Sequence, residues 1–272
     1  AKVYVKINNA LAVDKLEKAI ELNPDYMFAY KYLGEASIEG SRFEQAGAAY
    51  EKYFSSGNYS VGDITNYSSV LNTLKKYDES LALIQEGLKR EPDNYILHRL
   101  WLYNLLELKD YTQGLTVAEK FFAIQNERPH IPKDFIAYGK MLEENKQYDK
   151  ALENYLKAEE AAKEDERFKT SLPGIYADIA SLYKAEKNMV KAAEFQEKFM
   201  ATAEEADKNM GHYYELGTIY SSLAASLDSA SVEDPSQLMV LKQEYVAKAD
   251  STFSVLIETL PDNPMGYQGK AR

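Results

Sequence analysis

Residues 43–46 read Phe-Glu-Gln-Ala, and the same short pattern, an aromatic residue followed by polar and small residues, returns along the chain. It is Tyr-Asp-Glu-Ser at 77–80, Tyr-Thr-Gln-Gly at 111–114 and Tyr-Asp-Lys-Ala at 148–151. The first two steps are both 34 residues long. A repeat at this period predicts an array built from one supersecondary unit. We therefore expect the function to lie on a surface of the array rather than in a catalytic pocket.

The repeated unit is clearest from residue 27 onward, where large and small apolar residues recur at helical spacing. The residues that carry the pattern are Tyr30, Leu33, Gly34, Ala46, Tyr50 and Tyr53. In these positions the unit resembles the tetratricopeptide repeat (TPR). The resemblance implies an all-α, right-handed superhelical solenoid of about seven antiparallel helical hairpins, the last of them elongated. It is also consistent with a fragment of a bacterial TPR-repeat protein.

Prolines beside Asp or Asn, such as Pro24 and Pro92, mark the joints between units. Proline cannot continue a helix, and Asp or Asn can cap the next one. We therefore expect a single solenoid over residues 1–272, with a partial repeat at 1–26 and the start of another at 264–272. The complete repeats are predicted at 27–60, 61–94, 95–131, 132–172, 173–209 and 210–263. Because both ends cut through a repeat, we expect a segment of a longer array.

The unit at 210–263 is stretched, because Ala249 stands 20 residues beyond the position that the period gives it. The apolar residues that continue the helical spacing through this insertion are Leu223, Leu227, Leu238, Leu241 and Tyr245. Asp234 and Pro235 are suited to the N-cap and first position of a helix. We predict that both helices run on by about 10 residues, roughly 15 Å each, to a polar tip near 229–234. The alternative is a structureless loop, which is uncommon at this length.

The composition limits the classes of partner. The chain has 272 residues with 32 Lys and Arg against 43 Asp and Glu, a net charge of −11, so a nucleic-acid partner is not expected. It contains no cysteine, which rules out disulfides and thiolate chemistry and suits a bacterial protein of the cytoplasm or the periplasm. No stretch is long and apolar enough for a transmembrane helix. The cellular location stays open.

The sequence offers no catalytic, cofactor-binding or metal-binding residues. Phosphate-binding glycine loops and the Gly-x-Ser-x-Gly nucleophile pattern are missing. The histidines His98, His130 and His212 are far apart and lack the spacing of a zinc site, so structural or solvent-exposed roles are expected. Neighbouring glutamates on a helix do not face one another and indicate solvated faces. We predict a protein that is not an enzyme and needs no cofactor.

In TPR arrays the first helix of each hairpin lines the concave face, so the resemblance implies which positions of each unit lie there. The residues that we single out for partner binding are Lys31, Asn66, Arg99, Tyr103, Lys133, Lys140 and Tyr214, and Lys184 and Thr218 hold equivalent positions. An exposed-looking Tyr103 among cations predicts a locally basic groove. Such a groove would attract an acidic or C-terminal carboxylate segment.

The predicted function is a non-enzymatic scaffold that binds a peptide or helix of a partner protein in the concave groove. Two alternatives stay open. One is a sensor module for a small molecule or glycan, which would need an aromatic pocket, with Tyr103 and Tyr214 as candidates. The other is an accessory TPR segment of a larger enzyme or lipoprotein. The fold alone does not identify a partner or an oligomeric state.

Overall fold

A computed structural model describes residues 9–124, 129–228 and 235–271. Over these residues the secondary structure is helical, with α-helices α1 (Asn9–Leu22), α2 (Met27–Glu39), α3 (Phe43–Phe54), α4 (Val61–Thr73), α5 (Tyr77–Arg90), α6 (Tyr95–Glu107), α7 (Tyr111–Ala123), α8 (Pro132–Glu144), α9 (Tyr148–Glu164), α10 (Leu172–Ala185), α11 (Met189–Thr202), α12 (Met210–Ser226), α13 (Leu238–Thr259) and α14 (Pro264–Lys270). Two short 3-10 helices, Glu166–Ser171 and Pro235–Gln237, precede α10 and α13. The prediction of an all-α fold of helical hairpins is confirmed.

The chain forms two compact units, one of Ala1–Pro129 with Lys140–Asn145 and the other of His130–Gly139 with Lys146–Arg272. In the first unit α2 packs on α3, α4 on α5 and α6 on α7, so consecutive helices pair as hairpins. In the second unit the same holds for α10 with α11 and α12 with α13. The prediction of one continuous array concerns how the two units are joined, and it stays a prediction.

Five hairpin turns in the described part of the chain, those of α2–α3, α4–α5, α6–α7, α8–α9 and α10–α11, each contain one non-glycine residue with a positive φ, between 54° and 62°. These residues are Ser41, Lys75, Lys109, Lys146 and Lys187. At Lys75 the backbone N–H donates to the Asn72 carbonyl at 3.0 Å, and the next N–H, of Lys76, donates to Leu71 at 2.8 Å. This pair of bonds is the Schellman pattern, which satisfies the free carbonyls at the end of α4. The turn therefore ends the first helix and directs the chain back along it.

The stretched hairpin divides its extra residues unequally. Helix α12 has 17 residues, against 13 in α2, whereas α13 has 22, against 14 in α11. The prediction that both helices run on is therefore confirmed, but the expected equal division is wrong. Leu227 was predicted to continue the helix, and this prediction is wrong. Helix α12 ends at Ser226, and the backbone of Leu227 is extended (φ −66°, ψ 129°). The predicted tip at 229–234 lies outside the described residues.

Candidate functional site

Within each unit the first helices of consecutive hairpins lie side by side, joined by polar contacts. Lys31 on α2 forms an ion pair with Asp63 on α4, with 2.6 Å between Nζ and Oδ1. Further along, the Asn72 amide on α4 donates to Asn104 on α6 at 3.3 Å. In the second unit Lys184 on α10 is ion-paired with Glu215 on α12. The positions predicted to line a groove are therefore on neighbouring helices that share a face in each unit.

Lys31 is held tightly in its ion pair. The side chains of Lys31 and Asp63 are only 20% and 5% exposed. Asp63 also accepts hydrogen bonds from the hydroxyls of Tyr53, at 3.1 Å, and Ser60, at 2.8 Å. Burial is the largest single influence on each pKa and opposes the charge of each partner. The mutual hydrogen bond and the attraction between the two charges together outweigh it, helped at Asp63 by hydrogen bonds from Ser60, so the pKa of Lys31 is raised and that of Asp63 is lowered. Asn66, which lies on the same helix as Asp63, is half-buried.

Arg99 and Tyr103 are largely occupied by contacts within their own unit. Arg99 Nη2 donates to the Tyr95 hydroxyl at 2.7 Å, and the guanidinium carbon lies 4.7 Å from the centre of the Tyr95 ring. Tyr103 is only 8% exposed, so the expectation of an exposed ring at this position is wrong. The reason is that α6 carries buried leucines on most sides, including Leu97, Leu102 and Leu105, and such a helix is enclosed. This burial also removes Tyr103 from the alternative of an aromatic ligand pocket.

Two further predicted cations lie on α8. Lys133 is in the first turn of this helix and is exposed. Lys140 lies between two carboxylates of the same helix, with its Nζ 2.9 Å from Glu143 and 3.7 Å from Glu144. Lys140 is therefore ion-paired, as the half-buried Lys31 is.

Tyr214 lines a cavity of about 330 Å³ between α10 and α12. Its lining residues are Lys184, Met189, Tyr214, Glu215, Thr218, Ile219 and Ser222. The Tyr214 ring centre is 5.9 Å from that of Phe253, which anchors the ring against the α12–α13 hairpin. Lys184, Tyr214 and Thr218 stand at positions that the repeat register predicts for the groove. We call this cavity the α10–α12 groove.

The other lining residues of the α10–α12 groove were not predicted. Met189 opens α11, a second helix of a hairpin, so the rule that takes only first helices passes over it. Glu215 and Ile219 follow Tyr214 and Thr218 directly, and they reach the groove because it is wide enough to take two adjacent rows of α12. The residue that directly follows each predicted position on a first helix was therefore the signal by which Glu215 and Ile219 could have been found.

The described part of the chain contains neither a metal-binding cluster nor a membrane-spanning helix. Across residues 9–124, 129–228 and 235–271, no three His, Asp or Glu side chains converge in the way that a metal ion requires. Over the same ranges, no helix is both long enough and apolar enough to span a bilayer.

No family model matches the sequence, and no curated protein matches it. Solved structures do match. The C-terminal part of a TPR repeat-containing protein from Cytophaga hutchinsonii superposes with a TM-score of 0.63 at 17% identity, over 98% of this chain and 97% of that one. PilF from Pseudomonas aeruginosa gives 0.62 at 16% identity, over 90% and 96%. YrrB, described as a TPR protein with an unusual peptide-binding site, gives 0.57 at 14% identity, over 82% and 98%. The chain therefore has the fold of TPR-repeat proteins.

Proposed function

We propose that this protein is a non-enzymatic scaffold that binds a segment of a partner protein on the face formed by its first helices. The observation that carries the proposal is the α10–α12 groove. It lies between the first helices of two consecutive hairpins and includes Lys184, Tyr214 and Thr218 from the predicted binding positions. A volume of about 330 Å³ is at the lower end for ligand pockets and suits one large side chain of a longer segment.

The composition of the groove supports protein binding. Tyr214 and Met189 offer an apolar surface, and Tyr and Met are enriched at the centres of protein interfaces. Among the structures with this fold, YrrB is described as having a peptide-binding site. At 14% identity that likeness supports the fold, and peptide binding by the present chain is our proposal.

The sequence also predicts an acidic partner, and this finer prediction has weaker support. It depends on cations of the groove that are available to a carboxylate. Lys31 is paired with Asp63, Lys140 with Glu143, and Lys184 with Glu215. An acidic segment would have to displace a carboxylate at each of these positions. The sign of the partner's charge is therefore a separate question from the existence of a peptide-binding groove.

The proposal is tested by selecting a phage-displayed library of random dodecapeptides on the full chain and measuring the affinity of enriched peptides. Thr218→Phe places a ring in the groove and should weaken binding about tenfold or more. The matched control is Thr259→Phe, since Thr259 is exposed on α13 and, like Thr218, donates its hydroxyl to a carbonyl of its own helix. Peptides that bind both variants equally, or an unenriched library, would refute a binding role for this groove. Circular dichroism confirms that both variants are folded.

A further inference from the structure

The polar groups of the α10–α12 groove are mainly hydrogen-bond acceptors. The Thr218 hydroxyl donates to the Tyr214 carbonyl at 2.8 Å, and the Ser222 hydroxyl donates to the Thr218 carbonyl at 2.9 Å. A hydroxyl has one proton, so both groups can offer only lone pairs to a partner. Glu215 adds a carboxylate that is 32% exposed. A bound group that donates several hydrogen bonds would therefore match this lining.

The apolar part of the groove suits the hydrocarbon stem of a basic side chain. Met189, Ile219 and the ring of Tyr214 form its walls. Lys and Arg side chains commonly bury their methylene stems against such surfaces while the charged head reaches a polar partner. An aromatic ring also attracts a guanidinium placed over its face. One side chain could thus use both the apolar walls and the acceptors.

Glu215 already forms an ion pair within this chain, with the ammonium of Lys184. The two side chains are 48% and 32% exposed, and an exposed pair of this kind contributes little to stability. A guanidinium can bind a carboxylate through two parallel hydrogen bonds, which an ammonium cannot do. Displacement of Lys184 therefore costs little free energy, and the arginine of the partner forms a stronger contact with Glu215.

The charge of the whole chain acts in the same direction. A net charge of −11 raises the local concentration of cationic segments and repels acidic ones. We propose that the α10–α12 groove selects its partner through an arginine side chain, which lies along Tyr214 and Met189 and replaces Lys184 at Glu215. This inference rests on the proposed peptide-binding function and specifies the chemistry of the partner.

The test uses peptides that are enriched on the full chain and weakened by Thr218→Phe. We expect these peptides to share an arginine, whose replacement by the neutral isostere citrulline lowers affinity about tenfold. Glu215→Gln should lower affinity by a similar factor, since a hydrogen bond to a charged group is lost. Lys184→Met should raise affinity by about threefold, because it removes the competing cation.

Lys157→Met is the matched control. Lys157 is 48% exposed like Lys184 and is ion-paired to Glu153 on α9, outside the groove. We expect it to leave affinity unchanged. Peptides enriched in Asp or Glu, or a Lys184→Met variant that binds more weakly, would overturn the selection of arginine while leaving the peptide-binding groove intact. A library without peptides sensitive to Thr218→Phe would overturn both proposals together.

Discussion

At the scale of single residues, the two helices of a hairpin pack through side chains of complementary size at two facing positions. In three hairpins a glycine lies under a buried ring: Gly34 under Tyr50, Gly139 under Tyr155 and Gly217 under Phe253. Where the ring is missing, the glycine is missing too, as with Leu102 on α6 and Ala118 on α7, both fully buried. The two facing residues can therefore differ between repeats while the spacing of the two helices is kept, because this spacing depends on the summed volume of the two side chains.

Gly139→Ala should destabilise the protein. A Cβ at this position would lie 2.7 Å from Cε1 of Tyr155, whose side chain is fully buried. We expect a loss of about 1–3 kcal/mol, typical of an overpacked core, measured as a lower midpoint of urea unfolding.

The control for this substitution is Gly174→Ala on α10. A Cβ at Gly174 would meet no atom within 4 Å, so only the better helix propensity of alanine acts there. We expect a gain of up to about 1 kcal/mol. A similar effect of both substitutions would show that glycine at position 139 serves flexibility and not close packing.

At the scale of elements, the sequence predicts the helices better than the turns between them. Prolines and Asx residues mark the joints between hairpins, and α2, α4 and α6 begin at Met27, Val61 and Tyr95, where the predicted repeats begin. Of the five described turns inside hairpins, four carry a lysine and one carries Ser41 with positive φ, where glycine is the usual signal. Composition therefore did not reveal the Schellman turns.

The joint between α5 and α6 contains a buried histidine. His98 is 1% exposed, and its Nε2 lies 2.8 Å from the Pro92 carbonyl, so Nε2 carries the proton and donates. Lys120 approaches the same carbonyl at 3.5 Å. The Nδ1 atom is buried, and no partner is found for it among the described residues. A second proton on this ring would therefore be buried beside Lys120 without an acceptor.

His98 should make stability depend on pH. Burial lowers its pKa by more than the hydrogen bond to Pro92 raises it, and Lys120 lowers it further, against a smaller opposite effect of Asp93. The unfolded chain then binds the proton more readily than the folded one. Stability that is present above the unfolded pKa of about 6.5 is lost as the pH falls below it.

The measurement compares the urea midpoint of the wild type with that of His98→Gln across this pH range. We expect the wild type to lose more stability on acidification, because glutamine cannot titrate. Carboxylates such as Asp63 titrate in both proteins, and their contribution cancels in the comparison. Parallel pH profiles would mean that the protonated ring is accommodated in the joint.

At the scale of the whole molecule, the sequence located part of the candidate site but not its charge state. Lys184, Tyr214 and Thr218, which the repeat register assigns to one face, line the same cavity, since helical geometry fixes which positions share a face. Their role in binding stays a prediction. The prediction of a basic groove counted Lys31 and Lys140 without the carboxylates that neutralise them. The partner of Lys31, Asp63, lies on a helix of the next hairpin, so the repeat that contains Lys31 does not reveal the pair. The partner of Lys140, Glu143, lies three residues further along the same helix, and helical spacing was the available signal for that pair.

The net charge of −11 gives a last prediction, for the association of an arginine-bearing peptide. Long-range attraction mainly raises the association rate, and salt screens it. Between about 0.01 M and 1 M salt the Debye length falls from about 30 Å to about 3 Å, so the rate should fall severalfold. The citrulline peptide carries no charge at this position and should respond less, which stopped-flow fluorescence can measure. An association rate of the arginine-bearing peptide that does not fall with added salt would contradict this long-range attraction to the acidic chain.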